Sequence, residues 1–374
     1  MAVDGKNFRV GALNSTGFLF LLFLLCSSFA LAENTRDLRT IDLRRPLCDV
    51  SQMAVYGLSG VQFISEDKAL VYSVCQRTGE PVLSIRGEFR ASDSKHLRAV
   101  IVNVSTGKIE HRYDWPTQGE SSFVIMTAQG NLLVIRENFL ATYNLQGRQL
   151  THLELRTANF HDPFMTVPST TVSTVAVTEL AMTVSSILVT ATLVLDADAL
   201  EPLYRWRAQN QSGNRLIAAS RELCAGWQDA GNEKRIVIRK PNDQEWSTVW
   251  TGKTSSLLGP IFLDPGRFLV ATDSELLVFN SEGKIEGHTP LKAAAQIAIS
   301  RDGKHLAVAS PADSPSAAFL PPTHISVFQT DFERTASLDN FANFEPDFTL
   351  ALSPSGNRLG ILGHMRLKVL EITK

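Results

Sequence analysis

Short apolar segments alternate with turn residues along almost the whole chain, and the 3.6-residue apolar spacing of amphipathic helices is nearly absent. One unit recurs: a short apolar strand, a turn, and a second, more polar strand. Its seven copies begin at Ala99, Leu140, Ala191, Arg235, Leu276, His324 and Arg366. A period of about 45 residues in an all-β chain is typical of β-propeller blades of four strands each.

A second hairpin precedes most copies and supplies the two inner strands, a and b, of each predicted blade, ahead of the outer strands c and d. Its turn carries Gly or Asp, with a Leu three residues later: Asp67 and Leu70, Gly130 and Leu133, Gly213 and Leu216, Gly266 and Leu269, Gly303 and Leu306, Gly356 and Leu359. Glycine suits the positive φ of a tight hairpin turn. In blade three the inner strands are expected within Val172–Leu188, with no turn assigned. The pattern predicts an all-β fold, a seven-bladed β-propeller with four-stranded antiparallel blades.

Blade seven lacks one strand, because its last unit, Arg366–Lys374, contains only strand c. Near the N-terminus, Arg36–Arg44 alternates polar and apolar residues ahead of blade one. We expect this segment to pair beside Arg366–Ile372 and to close the ring, because an open ring would expose sheet edges. The predicted propeller covers residues 33–374.

Residues 1–32 have the layout of a secretory signal. A weakly basic start leads into the apolar segment Phe18–Leu25, and Ala30-Leu31-Ala32 forms an Ala-x-Ala site before Glu33. The apolar stretch is shorter than the about 20 residues that span a bilayer, which favours cleavage over the alternative, an uncleaved membrane anchor. We therefore expect a secreted or periplasmic protein with no membrane span after cleavage. A second apolar segment, Leu180–Leu195, is rich in β-branched residues and is interpreted as buried sheet.

Two inner hairpins carry a family resemblance. Gln296–Ser310 (QIAISRDGKHLAVAS) and, less closely, Thr349–Leu362 (TLALSPSGNRLGIL) resemble the Ser-x-Asp-Gly-Lys-x-Leu-Ala-Val hairpin of bacterial secreted propellers of the WD-repeat-like, TolB-like and lactonase-like kinds. Val102–Trp115, through Thr106-Gly107-Lys108 and Trp115, is similar to a blade edge of pyrroloquinoline-quinone propellers. The resemblance implies the fold. These motifs are structural turns, so they imply no catalytic residue.

Charge and motif spacing do not indicate a catalytic centre. Lys and Arg number 36 against 38 Asp and Glu, so no global field favours nucleic acid, and we expect no nucleic-acid partner. The histidines show no His-x-x-x-His spacing and the cysteines no Cys-x-x-Cys, so neither a metal site nor a cofactor is predicted. Around Ser59, Val61 stands where a hydrolase nucleophile elbow needs its second glycine.

Three cysteines follow the predicted cleavage site: Cys48, Cys75 and Cys224. An odd number in an exported protein suggests one disulfide and one remaining thiol. Cys48 lies on the connection from the closing strand into blade one, and Cys75 at the end of strand b of that blade. Since d-to-a and b-to-c connections share one face of a propeller, these two form the candidate disulfide. Three unpaired thiols are the alternative.

Long b-to-c connections are predicted on one face of the ring in blades one, four and six, at Gln76–Arg98, Arg221–Lys234 and Pro311–Thr323. Long loops on a rigid scaffold often bind ligands, and Arg and aromatic side chains are good anchors. The candidate ligand-binding residues are Arg86, Arg90 and Trp227. Solvated insertions without a partner are the alternative.

Two functions of different classes fit these features. The first is a non-enzymatic binding or scaffold propeller for an unknown protein, peptide or glycan, which uses the long loops of one face. The second is an enzyme with its site in the central funnel, a lactonase-like hydrolase or a quinone-dependent dehydrogenase. Such an enzyme should show converging carboxylates, histidines or arginines around the axis. Few acidic or His residues fall on the predicted innermost strands, which favours the binding protein.

Overall fold

The computed structural model describes residues 35–48, 52–77, 95–117, 122–136, 138–156, 164–182, 187–212, 214–291, 294, 296–311, 323–332, 334–338 and 348–372. Within these ranges the chain forms seven four-stranded antiparallel sheets. They are the blades of a propeller, and the predicted all-β, seven-bladed fold is confirmed. The predicted signal segment, residues 1–32, lies outside the described residues.

Blades one to six each use four consecutive strands, and blade seven combines three strands with β1 from the N-terminal side. The strands of blades one to four are β2 (Gln52–Ser65), β3 (Lys68–Arg77), β4 (Lys95–Asn103), β5 (Ile109–Thr117), β6 (Ser122–Met126), β7 (Leu132–Arg136), β8 (Phe139–Tyr143), β9 (Gln149–Glu154), β10 (Phe164–Ser169), β11 (Thr174–Met182), β12 (Ile187–Asp196), β13 (Pro202–Ser212), β14 (Asn214–Ala219), β15 (Cys224–Ala230), β16 (Glu233–Arg239) and β17 (Ser247–Gly252). The strands of blades five to seven are β18 (Leu257–Asp264), β19 (Arg267–Thr272), β20 (Glu275–Asn280), β21 (Ile285–Pro290), β22 (Gln296–Ile299), β23 (His305–Pro311), β24 (Thr323–Gln329), β25 (Arg334–Leu338), β26 (Thr349–Leu352), β27 (Arg358–Gly363), β28 (Arg366–Ile372) and β1 (Thr35–Asp42).

The ring is closed by β1, as the sequence predicts. This strand pairs antiparallel with β28, from Thr35 opposite Ile372 to Asp42 opposite Arg366. Ile41 and Leu43 are buried in a core cluster that also contains apolar side chains of β28 and of blade one. A short helix, α1 (Arg44–Leu47), follows and leads into blade one. Closure therefore rests both on backbone pairing and on apolar packing between blades seven and one.

Apolar side chains fill the spaces between neighbouring blades. Leu70 and Leu97 of blade one, for example, pack in one cluster with Leu132 and Val134 of blade two. Since successive residues of a strand point to opposite faces, a strand covered by blades on both sides is apolar throughout. The outer strand β9 is covered less and alternates half-buried with exposed residues over much of its length.

The inner hairpin of blade four differs from the sequence prediction. Its turn falls at residues 220–223, between β14 and β15, and not at Gly213, which lies outside the described residues. The Ser220 hydroxyl accepts hydrogen bonds from the backbone N–H groups of Glu222 (3.1 Å) and Leu223 (3.0 Å). A serine side chain therefore supports a turn that contains no glycine.

As a result, Arg221–Lys234 is not a long b-to-c loop. The segment contains β15, and the connection from strand b to strand c of blade four is the turn at residues 231–232. The prediction of a long loop in blade four was wrong, because residues 214–219 were interpreted as strand b of the blade and are its strand a.

In blade three the inner strands begin earlier than predicted. Strand a is β10, which precedes Val172–Leu188, and the turn that the sequence left unassigned lies at residues 170–173. This turn also lacks glycine, and Ser173 adopts a φ of 50° in it. The described parts of the apolar segment Leu180–Leu195 lie on β11, which ends at Met182, and on β12, which begins at Ile187, in agreement with its interpretation as sheet. Among the described residues, no helix has the length and apolar character needed to cross a membrane.

Candidate functional site

The a-to-b turns of the seven blades lie at one end of the ring, here called the lower face. Hydrogen bonds of 2.5 to 3.2 Å link the ends of consecutive blades there: Gln62 with Met126, Ala128 with Ser173, Thr174 with Ala219, Ser220 with Pro265, and Ser355 with Glu66. A side chain at Gly303 would collide with the Leu263 carbonyl oxygen, and one at Gly356 with the His305 ring. The opposite end, where strands b and d end, is the upper face.

Side chains also bridge the lower face across the ring. Arg301 in the a-to-b turn of blade six donates from Nη2 to the carbonyl oxygens of Thr127 and Ala128 in blade two, both at 2.7 Å. Blades six and two are not neighbours, because blades seven and one lie between them, so this side chain links non-adjacent blades. The Thr171 hydroxyl of blade three donates to the Phe262 carbonyl oxygen of blade five at 2.6 Å. Side chains therefore link non-adjacent blades at the lower face, and a large ligand would reach the upper face more readily.

One carboxylate is buried at the lower face, and neighbouring side chains donate hydrogen bonds to it. Asp198, between β12 and β13, accepts hydrogen bonds from the hydroxyls of Thr127 and Ser173, the latter at 3.1 Å, and from Asn131 Nδ2 at 3.3 Å. It joins blades two and three. Among the described residues it is the only carboxylate classed as buried, and its contacts are those of a structural group.

At the upper face, Cys48 and Cys75 form a disulfide. Their Cα atoms are 5.6 Å apart, inside the limit of about 7 Å that a disulfide requires. Cys48 ends α1 and Cys75 lies on β3, so the bond joins the ring-closing connection to blade one. Cys224 is a free, buried thiol on β15, and burial raises its pKa.

Charged side chains adjoin this disulfide at the upper ends of β4 and β5. Arg98 donates from Nε to Asp114 (3.0 Å) and from Nη1 to the carbonyl oxygen of Leu47 at the end of α1 (3.2 Å). The Nδ1 atom of His96 lies 2.6 Å from the other carboxylate oxygen of Asp114. Asp114 therefore orients both basic side chains, and Arg98 ties blade one to α1. Sequence reasoning did not single out His96 or Asp114, because their proximity depends on the register between β4 and β5.

Trp227 lies on strand β15 and not on a loop. The Nζ atom of Lys234 lies 4.5 Å from the centre of the Trp227 ring and 3.1 Å from Oδ1 of Asp229. Ile236 pairs with both Trp227 and Trp250, so the two indoles lie on the same side of the sheet. Each is half-buried. The upper end of blade four thus presents two indoles with a lysine over one of them, held on paired strands.

The other two candidate ligand-binding residues, Arg86 and Arg90, lie outside the described residues. So do residues 78–94 between β3 and β4, and residues 312–322 between β23 and β24. In both blades the strands beside these segments end toward the upper face.

The described residues contain no group of three or more His, Cys, Asp or Glu side chains that could hold a metal ion. The displaced pKa values have structural causes. Hydrogen bonds from Arg44 lower the pKa of Asp42 to about 2, and burial raises the pKa values of Tyr72 and Tyr113 to about 12. These groups belong to a surface ion pair and to the packing between blades, and they do not converge on one site.

No protein-family model matches the chain, and no curated protein matches it. Solved structures share its fold. The WD40 domain of Neurospora crassa Pan2 is 12% identical, with a TM-score of 0.52 over 91% of this chain and 96% of that chain. A chain from a crystal structure of the mitotic checkpoint complex is 11% identical, with a TM-score of 0.51 over 100% of both chains. The protein has a WD-repeat-like fold. At these identities the similarity concerns the fold alone.

Proposed function

We propose that the protein is a binding or scaffold propeller that holds a protein partner on its upper face. We also propose that it is exported and is found in the periplasm or outside the cell. The observation that carries the proposal is the contrast between the two ends of the ring. The lower face is linked from blade to blade, and Arg301 joins two non-adjacent blades there. The upper face presents the charged side chains around Arg98 and the indoles around Trp227.

The side chains of the upper face suit protein recognition. Trp and Arg dominate the energetics of many protein interfaces, because they bury a large area and form several contacts at once. Trp227 and Arg98 are held by strand pairing and by their partners Lys234, Asp114 and Leu47. A prearranged side chain loses less conformational entropy on binding. One chain of the same fold belongs to the mitotic checkpoint complex, and this supports a protein over a glycan as the partner.

A photo-cross-linking amino acid at the upper face should capture the partner. We expect a discrete adduct when it replaces Asn232 or His364, which are exposed at the upper ends of blades four and seven. Replacing Gln146 or Glu282, which are exposed in lower-face turns, should give none. Adducts are detected by mass shift in cells that produce the protein natively. Adducts from the lower positions alone would contradict the proposal, and Trp227→Ala should weaken the adduct at Asn232.

Export is tested by the mass of the protein from its native cells. We expect a chain that begins at or near Glu33, recovered from the periplasm or the medium, because the Ala-x-Ala site precedes that residue. Ala32→Phe should block cleavage, since signal peptidase sites require small residues there. A wild-type mass that retains Met1–Ala32 would show that the segment is kept as an anchor.

A further inference from the structure

We propose that the outer strand of blade four, β17, pairs antiparallel with the same strand of a second copy of this chain. β17 is the last strand of its sheet, and β16 is the only strand that pairs with it among the described residues. Every second residue of such an edge strand turns its backbone N–H and C=O groups away from the sheet. The inference goes beyond the proposed function, because it concerns the outer wall of the ring and not its upper face.

The composition of β17 differs from that of every other outer strand. Natural proteins usually place charged residues or proline in edge strands, because these residues oppose pairing with another chain. β17 (STVWTG) contains neither, and its Thr, Val and Trp residues favour extended backbone. The other six outer strands each carry a charged residue, a proline or both: β1, β5, β9, β13, β21 and β25. β17 is therefore the outer edge that another strand can approach with least opposition.

Bulges do not set β17 apart from the other outer strands. Val249 has no partner in the pairing of β17 with β16, and the pairing of each of the other outer strands contains a comparable irregularity. A bulge twists an edge and hinders further pairing, but it does so on all seven outer strands alike. The difference lies in the side chains.

Packing against blade five holds β17 in place. Val249 and Trp250 belong to the apolar cluster between blades four and five. The Val249 side chain occupies the space that a side chain at Gly283 of blade five would need. Three small polar side chains of the strand are exposed: Ser247, Thr248 and Thr251. A strand that is already ordered loses little conformational entropy on pairing, and these side chains accept a neighbouring strand without burial of a charge.

The charges that flank β17 favour a second copy as its partner. Glu245 precedes the strand, Lys253 follows it, and both are exposed. When two copies pair antiparallel about a two-fold axis near Val249, each end of the pair brings Glu245 of one copy toward Lys253 of the other. A parallel pair would instead place like charges together at both ends, which is unfavourable. Charge complementarity therefore selects antiparallel pairing.

This pairing leaves both upper faces accessible. Because the two strands run in opposite directions, the upper faces of the two copies point in opposite directions. A strand of six residues buries a small area, so we expect a weak dimer that depends on protein concentration. Since the same edge is used by both copies, association stops at two.

Sedimentation velocity of the purified protein, over about a hundredfold range of concentration, tests the inference. We expect the wild-type protein to shift from one copy to two as its concentration rises. Thr248→Lys places a charge on the edge of both copies and should weaken dimerisation about tenfold or more. Thr40→Lys makes the same change at an exposed position of the outer strand β1 and should alter dimerisation by no more than about twofold. The thermal midpoint of each variant shows whether the ring remains folded.

Charge reversal at the flanks tests the antiparallel arrangement. Glu245→Lys alone brings lysines together at each end of the pair, and Lys253→Glu alone brings glutamates together. Each single reversal should therefore weaken the dimer about fivefold or more. Glu245→Lys with Lys253→Glu restores opposite charges at both ends and should return the affinity to within about twofold of the wild type. Such a rescue requires that the two positions meet across the interface.

The remaining outcomes also decide the matter. A wild-type protein that stays monomeric at the highest concentration would overturn the inference. A dimer that Thr248→Lys leaves unchanged uses another surface, and single reversals without rescue exclude antiparallel pairing, so either result contradicts the proposal. If the protein is monomeric and a photo-cross-linking amino acid at Thr251 captures a different protein in native cells, the edge binds a strand of that protein instead. Adducts at Asn232 and His364 report on the upper face alone, so the proposed function and this inference can fail separately.

Discussion

Deletion of residues 33–44 is expected to destabilise the whole ring and not only its N-terminal end. The deletion removes the outer strand of blade seven together with the buried side chains of Ile41 and Leu43. It leaves the edge of β28 unpaired, and an unpaired sheet edge also promotes aggregation. Burial of each apolar side chain contributes about 1.5–3 kcal/mol, and the lost ladder hydrogen bonds add to this. We expect the thermal midpoint to fall by more than about 10 °C, or cooperative unfolding to be lost.

Point variants separate the closing strand from a general loss of apolar surface. Leu43 is fully buried, and Leu43→Ala should cost about 2–5 kcal/mol in the free energy of unfolding. Leu150 on β9 is 51% exposed, and Leu150→Ala should change stability by no more than about 0.5 kcal/mol. Urea unfolding followed by circular dichroism measures both. A truncated protein that melts like the full chain, or equal losses for the two variants, would show that β1 does not close the ring.

The fold could be predicted from the sequence because each repeat contains residues that favour one local backbone geometry. Turn glycines that adopt positive φ, such as Gly130, Gly303 and Gly356, mark the inner hairpins. Alternation of polar and apolar residues marks the closing strand, whose observed pairing with β28 agrees with the prediction. In each case one residue type fits a backbone geometry that others disfavour, so the signal needs no knowledge of the partner strand.

The predicted position of the inner turn in blade four was wrong because this turn is stabilised by a serine side chain and contains no glycine. The inner turn of blade four is supported by the Ser220 hydroxyl, which also donates to the Pro265 carbonyl oxygen of blade five at 2.7 Å. Serine is common in strands and in turns alike, so the pattern did not reveal the turn. That displacement moved Trp227 from strand β15 into a supposed loop. The sequence therefore did not show that Trp227 is held on a paired strand.

Contacts that define the two faces join residues far apart in the chain. Arg301 binds the Thr127 carbonyl oxygen 174 residues away, and Arg98 binds that of Leu47 across 51 residues. Such contacts depend on the order and tilt of whole blades, and no spacing in the sequence encodes them. The links across the lower face and the attachment of α1 to blade one are therefore products of the assembled ring.

Loss of the Cys48–Cys75 disulfide is expected to lower stability strongly while leaving the fold intact. The bond spans a sequence separation of 27 residues. In the chain-entropy model, closing a loop of this length restricts the unfolded chain by an amount worth about 3–4 kcal/mol. Cys48→Ala with Cys75→Ala should therefore lower the thermal midpoint by roughly 5–10 °C. Calorimetry or circular dichroism measures the shift.

Three comparisons make the source of that loss clear. Heating the wild-type protein with a thiol reductant should reproduce the shift, and the Cys48→Ala, Cys75→Ala protein should not respond to the reductant. Cys224→Ala should keep the wild-type response, because Cys224 is a buried free thiol.

The disulfide-free protein should still melt cooperatively, since β1 remains paired with β28 and Arg98 remains bonded to the end of α1. That behaviour would differ from the truncated protein, in which the sheet itself is opened. If the reductant shifts the Cys48→Ala, Cys75→Ala protein as much as the wild type, the shift does not come from this bond, and the two cysteines are not bonded in solution.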